Sequence, residues 1–142
     1  MPMIDIHAVA GTFGDRHGLA QEAAAIVKAV EQVPDIAMFR QNTAAFVHEL
    51  PAGAISNVDG DDRYVRVQVL TNPGALDRAK QTEVTRQLTD LVAKAAGDPT
   101  IADRTWVLLT EAVEGGWGLW GQAHTNAELA AAARAAIAKG RG

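Results

Sequence analysis

The sequence predicts an α+β fold in which duplicated β-α-β units form a four-stranded mixed sheet with two helices on one face, plus a C-terminal helix. Short runs with an apolar residue at every second position alternate with longer runs at helical spacing, and this order occurs twice. A length of 142 residues suits one hydrophobic core. We therefore expect a single domain over residues 1–142, with repeat one at about 2–57, repeat two at about 63–121 and the final helix at about 126–139.

The first unit begins with a strand, because residues 4–9 alternate between apolar and polar side chains. Asp15 is a suitable N-cap for a helix whose apolar residues recur every three or four positions until Pro34. Residues 43–49 then predict a second strand, which ends at the turn residues 51–53.

The second unit repeats this pattern. Val65, Val67 and Val69 place β-branched side chains on one face of a strand. A helical pattern follows and ends at Gly97, and residues 105–111 predict the fourth strand. Right-handed crossovers would place both helices on the same face of a shared sheet.

The strand ends at Glu49 and Glu111 lie 62 positions apart, which supports an internal duplication. The segment 114–121 is too rich in glycine for a regular element, and we predict that it forms a hairpin or a lid. Thr125 with Glu128 three residues later is typical of a capping box at the start of the final helix.

Composition excludes several classes of function. The net charge is −4, which disfavours a nucleic-acid partner, and no apolar run is long enough to span a membrane. The amino terminus lacks the pattern of a secretory signal, so we expect a cytoplasmic protein. With no cysteine and no histidine pair at metal-ligand spacing, we expect neither a metal nor another cofactor.

A proline directly after Met1, the strand that follows it, the duplicated unit and the segment 105–121, which ends in glycines and tryptophans, together resemble the tautomerase superfamily. The resemblance covers residues 2–121 and is to 4-oxalocrotonate tautomerase and to fused-repeat relatives such as cis-3-chloroacrylic acid dehalogenase. It implies that Met1 is removed, that the amine of Pro2 is the catalytic base or acid, and that the protein is a homotrimer.

The role of Pro2 agrees with acid–base chemistry. An α-amino group has a pKa near neutrality, and burial lowers it further, so a terminal proline can accept and return a proton. While Met1 remains, the Pro2 nitrogen is an amide and has no usable lone pair. The plain structural alternative is that proline is simply tolerated at the first residue of a strand.

The resemblance assigns four candidate substrate-binding residues. Trp117 aligns with the aromatic residue that forms a wall of the site in 4-oxalocrotonate tautomerase. Trp106 aligns with the arginine that starts the second strand of that protein. Asn72 aligns with an arginine of the dehalogenase, and Leu108 with its tyrosine. Because arginines bind carboxylates with two hydrogen bonds, their loss makes a dicarboxylate substrate and the dehalogenase route doubtful.

We expect a cofactor-free tautomerase or isomerase that moves a proton between oxygen and carbon of a small enol or α-keto compound. The alternative is a non-catalytic trimeric relative that binds ligands or has a structural role. Both agree with a homotrimer, because a sheet with helices on one face leaves its other face to be covered by other chains. The substrate itself is left open by the sequence.

Overall fold

The computed structural model describes residues 1–141 and confirms the predicted α+β fold with a four-stranded mixed sheet. A 3-10 helix, Pro99–Arg104, precedes the fourth strand. The other elements, in chain order, are β1 (Met3–Val9), α1 (Arg16–Glu31), α2 (Ala37–Gln41), β2 (Ala44–Leu50), β3 (Val65–Thr71), α3 (Arg78–Ala96), β4 (Thr105–Glu111), β5 (Trp117–Leu119), β6 (Gln122–His124) and α4 (Asn126–Arg141).

The main sheet has the strand order β2-β1-β3-β4. β1 pairs in parallel with β2, β3 pairs in parallel with β4, and the two units meet through an antiparallel pairing of β1 with β3. The equivalent strands β1 and β3 begin at Met3 and Val65, at the spacing that the sequence repeat predicts. β1 is therefore a central strand, and its first residues lie beside the last residues of the antiparallel strand β3.

Local sequence explains where the two long helices begin. The Asp15 carboxylate accepts a hydrogen bond from the Gly18 backbone N–H at 2.9 Å and caps α1, as predicted. Asp77 caps α3 in the same way, and Gly97, with φ 65°, ends it. The prediction extended the first helix to Pro34, whereas α1 ends at Glu31 with Gln32 in the left-handed conformation.

The helices α1 and α3 pack against each other and cover one face of the sheet. Alternate residues of β1 and β3 point into this layer, so the two units share one core. The fully buried residues of this core are Ile4, Ile6, Ala23, Val27, Val65, Val67, Val69, Val84, Leu88 and Val92.

A hairpin, two short helices and the final helix lie outside the two units' long helices and main strands. Residues 114–121 contribute to a hairpin of β5 and β6, so of the two predicted structures, a hairpin or a lid, the segment forms the hairpin. The short helix α2 and the 3-10 helix were not predicted. The final helix begins as expected, with the Thr125 hydroxyl accepting from the Glu128 N–H at 3.2 Å.

Within residues 1–141, no helix is long and apolar enough to cross a membrane.

The face of the sheet opposite the helices is open. It carries three large apolar side chains with substantial exposure: Phe46 at 49%, Trp106 at 40% and Leu108 at 44%. Trp106 stacks on Tyr64 with ring centroids 4.6 Å apart. An apolar face of this kind is typical of a surface that another protein chain covers.

Two histidines on this open face predict an acid-sensitive fold. The rings of His7 and His48 are stacked 4.3 Å apart, and His48 Nε2 lies 2.6 Å from an Asp5 carboxylate oxygen. Burial, followed by the positive charges of His48 and Arg66, lowers the pKa of His7, although Asp5 opposes this effect. The folded state therefore takes up a proton at His7 less readily than the unfolded chain does.

We expect the free energy of unfolding to fall as the pH drops below about 6.5, the ordinary pKa of histidine, with no contribution from His7 above it. Urea unfolding at several pH values measures this, and His7→Gln should flatten the profile. His17 is exposed, so His17→Gln is the matched control. An unchanged profile in His7→Gln would show that other groups cause the acid sensitivity.

Candidate active site

The amino terminus lies in a second apolar cluster, apart from the main core. Met1 is 2% exposed, and the side chain of Pro2 is less than 2% exposed. The backbone oxygen of Pro2 accepts from the Ala44 N–H at 3.2 Å, which fixes the residue at the start of the central strand β1. The buried members of the cluster are Met1, Met38, Trp117, Leu129 and Ala133.

The β5–β6 hairpin brings Trp117 into this cluster. A Cβ atom at Gly116 would lie 2.9 Å from the Val113 carbonyl oxygen, so the tight turn before Trp117 needs glycine there. Trp120 and Gly121 both have positive φ, 55° and 76°, which is the geometry of a two-residue hairpin turn. Trp117 is consequently 7% exposed, whereas Trp120 at the turn is 61% exposed.

The helix α4 covers the cluster from another side. Leu129 and Ala133 are one helical turn apart and both lie in it. The start of α4 is held by Asn126, whose Nδ2 donates to the Pro73 carbonyl at 2.8 Å and whose N–H donates to Glu114. The last element of the chain thus closes the environment of the first residues.

Two polar side chains face the terminal amine. Glu31 Oε1 lies 3.5 Å from the Met1 nitrogen, and Asn72 Oδ1 accepts a hydrogen bond from it at 3.5 Å. The Glu31 side chain is 4% exposed and comes from the last turn of α1. Asn72 follows directly after β3. The site therefore combines an amine, a carboxyl group and an amide within an apolar enclosure.

Burial acts on both ionisable groups of this site. It lowers the pKa of the terminal amine, although the nearby Glu31 carboxylate raises it. It raises the pKa of Glu31, against the opposing effect of the amine and of Lys80. Both shifts favour the uncharged forms, so the enclosure holds a base and an acid close together.

Solved structures share this architecture over nearly the whole chain. A member of the cis-3-chloroacrylic acid dehalogenase family matches with a TM-score of 0.69 and 17% identity, covering 90% of this chain and 88% of the other. Native fused 4-OT matches with a TM-score of 0.72 and 18% identity, covering 90% and 98%. A fused 4-OT solved as an asymmetric trimer matches with a TM-score of 0.71 and 18% identity, covering 89% and 98%. This chain has the tautomerase superfamily fold. No protein-family model and no curated protein matches its sequence.

Within this tautomerase fold, the structure brings three of the five predicted site residues together. Pro2 directly precedes β1. Asn72 accepts a hydrogen bond from the amine of Met1, and Trp117 packs in the same apolar cluster as Met1. Trp106 and Leu108 lie elsewhere, on the open face of β4. Across the sheet, Trp106 pairs with Arg66, and Arg66 pairs with His7. His7 lies five residues after Pro2 in β1, so Trp106 is displaced from Pro2 by about 16 Å along the strand direction.

Glu31 is the main residue of the site that the sequence analysis did not identify. A signal for it exists, because Glu31 continues the buried line of α1 formed by Leu19, Ala23 and Val27 at intervals of four. A carboxylate on the apolar stripe of an amphipathic helix is unusual unless it has a partner. Met38 of α2 and the apolar residues of α4 were also missed as parts of the enclosure.

Another concave surface of the tautomerase fold lies away from the amino terminus. A groove of about 560 Å3 runs between α1 and β2, and its lining includes Lys28 and Arg40. Neither Pro2 nor Trp117 contributes to it. Within residues 1–141, no group of three or more His, Asp or Glu side chains is arranged to hold a metal ion. The amino-terminal cluster is the candidate active site because it encloses an amine, a carboxyl group and an amide among apolar side chains.

Proposed function

We propose that this protein, after removal of Met1, is a cofactor-free tautomerase that moves a proton between oxygen and carbon of a small enol or α-keto compound. Pro2 is the general base and acid in this proposal. The observation that carries it is the burial of the amino terminus at the start of the central strand, beside a carboxyl group and an amide. A cytoplasmic location is part of the same proposal.

Removal of Met1 converts the Pro2 nitrogen from an amide into a secondary amine. Three covalent bonds separate the nitrogens of Met1 and Pro2, so the two atoms are at most about 3.7 Å apart. The Pro2 nitrogen therefore lies within about 7 Å of the Glu31 carboxylate oxygen that is 3.5 Å from the Met1 nitrogen. It inherits a buried environment, which favours the neutral amine that a general base requires.

The reaction needs one proton to leave a carbon and one to reach an oxygen. The neutral Pro2 amine can take a proton from the carbon next to a carbonyl group, and its protonated form can return a proton to an enol carbon in the reverse direction. Trp117 limits the access of water to this position, which keeps the amine pKa low and protects the enolate from the solvent.

One observation supports the alternative of a non-catalytic ligand-binding or structural protein. In the chain that retains Met1, this residue fills the enclosure and leaves Pro2 without a free amine. The mass of the intact protein separates the two proposals. Absence of Met1 together with ketonisation of phenylenolpyruvate is expected for the enzyme, and a retained Met1 with no ketonisation would support the alternative.

We further propose that the protein is a homotrimer in which the open sheet face is covered by neighbouring subunits. The exposed apolar side chains of that face support this, as does the trimeric state of a fused 4-OT with the same fold. In such a trimer, Trp106 and Leu108 reach a substrate only at a site of a neighbouring subunit. Their predicted role in substrate binding depends on this assembly.

We expect Leu108→Glu to convert the trimer into a chain with a mass near 15.0 kDa, because it would place a charge in an apolar interface. Light scattering at micromolar concentration measures the mass. Val113 is also apolar and 78% exposed, but it lies outside the sheet, so Val113→Glu is the control and should remain trimeric. A wild-type mass near 15.0 kDa would contradict the trimer itself.

A further inference from the structure

The residue Met1 shows what the proposed active site can enclose. Its amine lies between Glu31 and Asn72, while its side chain packs with the apolar cluster that includes Trp117 and Leu129. Removal of Met1 leaves a space beside Pro2. One end of this space is polar, at Glu31 and Asn72, and the rest is lined by the apolar cluster. A ligand of this space needs one polar group and an apolar substituent of about the size of a methionine side chain.

The polar end holds hydrogen-bonding capacity that the protein does not use. The Asn72 Nδ2 atom is buried and has no hydrogen-bond partner among residues 1–141. Glu31 Oε1 lies 3.5 Å from the Met1 amine and loses that partner when Met1 is removed. Buried polar atoms without partners are costly, and they are common where a ligand completes the bonding. A free amide N–H donor suits a carbonyl oxygen.

The charge of this end disfavours an anionic ligand. Glu31 is the carboxyl group nearest the amine, and its neighbouring cation, Lys80, donates to the Glu31 backbone oxygen at 3.1 Å. A substrate carboxylate beside Glu31 would be repelled by the negative charge that Glu31 acquires when it gives up its proton, because solvent screening is weak within an apolar enclosure. Arg66 of β3 lies at the register position of His7, far along β1 from Pro2, and donates to Gln68 on the open face.

We propose that Glu31 and Asn72 make this site selective for small uncharged carbonyl compounds with an apolar substituent, with Glu31 exchanging a proton with the substrate oxygen while Pro2 exchanges one with the adjacent carbon. This inference rests on the proposed function, because it needs the free amine of Pro2.

Protons and electrons balance in this step. The Pro2 amine removes a proton from the carbon, the C–H electron pair forms the C=C bond, and the carbonyl oxygen takes the proton of the Glu31 carboxylic acid. Asn72 Nδ2 donates a hydrogen bond to the same oxygen. The enol leaves, and transfer of the proton from the Pro2 ammonium to the Glu31 carboxylate restores both groups. Ketonisation follows the same steps in reverse.

A pair of substrates that differ in charge and by one methyl group tests the selectivity. Phenylpyruvate and its methyl ester share the same benzyl group and ketone, and deuterium exchange at the benzylic carbon can be followed by NMR. With protein shown by mass to lack Met1, we expect kcat/KM for the ester, relative to uncatalysed exchange, to exceed that for the acid at least about tenfold.

Glu31→Gln tests the proton exchange, because glutamine keeps the size of the side chain and removes its acid. We expect exchange of the ester to fall about a hundredfold, the difference between the two substrates to narrow, and one limb of the pH profile of kcat to disappear. Glu22 lies on the exposed face of the same helix, so Glu22→Gln is the matched control. It should leave the rates and the pH profile unchanged.

Each result decides between the two proposals. If the acid is exchanged as fast as the ester, or if Glu31→Gln behaves like the wild type, this inference is wrong and the proposed function stands. An acid preference that Lys80→Met abolishes would also overturn it and would assign the carboxylate to Lys80. If protein without Met1 exchanges neither compound, the proposed function fails and this inference fails with it.

Discussion

Pro2→Ala is expected to lower kcat for ketonisation about a hundredfold, which is typical of the loss of a general base. The proposed reaction uses the secondary amine of a residue that is less than 2% exposed and fixed by a backbone hydrogen bond at the start of β1. Alanine after removal of Met1 keeps a primary amine, but it loses the ring that sets the direction of the nitrogen lone pair. Some activity should therefore survive.

The comparison requires the mass of each variant, since only chains without Met1 have the relevant amine. Pro51 is an exposed proline at the end of β2, and Pro51→Ala is expected to retain wild-type kcat. Equal rates for Pro2→Ala and the wild type, both without Met1, would show that the amine is not the base. A circular dichroism spectrum confirms that the fold is intact.

Trp117→Ala is expected to reduce both stability and activity. The side chain is 7% exposed and packs with Met1, Met38 and Leu129, so truncation should lower the free energy of unfolding by about 3–5 kcal/mol. It also admits water beside the amine. Since burial is what lowers the pKa of the terminal amine here, the pH midpoint assigned to Pro2 should rise toward the ordinary α-amino value.

Trp120→Ala is the control for this prediction, because the same residue type lies three positions away at 61% exposure. Its ring contacts His124 edge-on with centroids 5.8 Å apart, and its truncation should change the free energy of unfolding by less than about 1 kcal/mol. Urea denaturation and a pH–rate profile measure both effects. If Trp120→Ala shifts the pH midpoint and Trp117→Ala does not, the assignment of the pocket wall is wrong.

The sequence predicts the strands and long helices well because each has a strong local signal. The alternating valines of β3 and the cap at Asp15 are examples, and the structure has both. The helix α2 has only five residues, and its Met38 packs in the same apolar cluster as Met1, which is far away in sequence. Local patterns carry no information about such a contact.

The site is less predictable than the fold for the same reason. Trp117 and Asn72 were identified by resemblance, and the structure places both near the amino terminus. The pairing of Glu31 with the terminal amine joins the end of α1 to the start of β1, and only the arrangement of the helix on the sheet brings these groups within 3.5 Å. The roles of Pro2, Trp106 and Leu108 in binding or catalysis remain predictions.

The position of α4 over the amino terminus has a consequence for the synthesis of the protein. In the complete fold Met1 is 2% exposed, so an aminopeptidase has no access to it. The proposed removal of Met1 must therefore precede the packing of Leu129 and Ala133 over the terminus. In the proposed mechanism, the order of these two events sets the fraction of molecules with a free Pro2 amine. A chain that folds with Met1 in place keeps the Pro2 nitrogen as an amide until it unfolds.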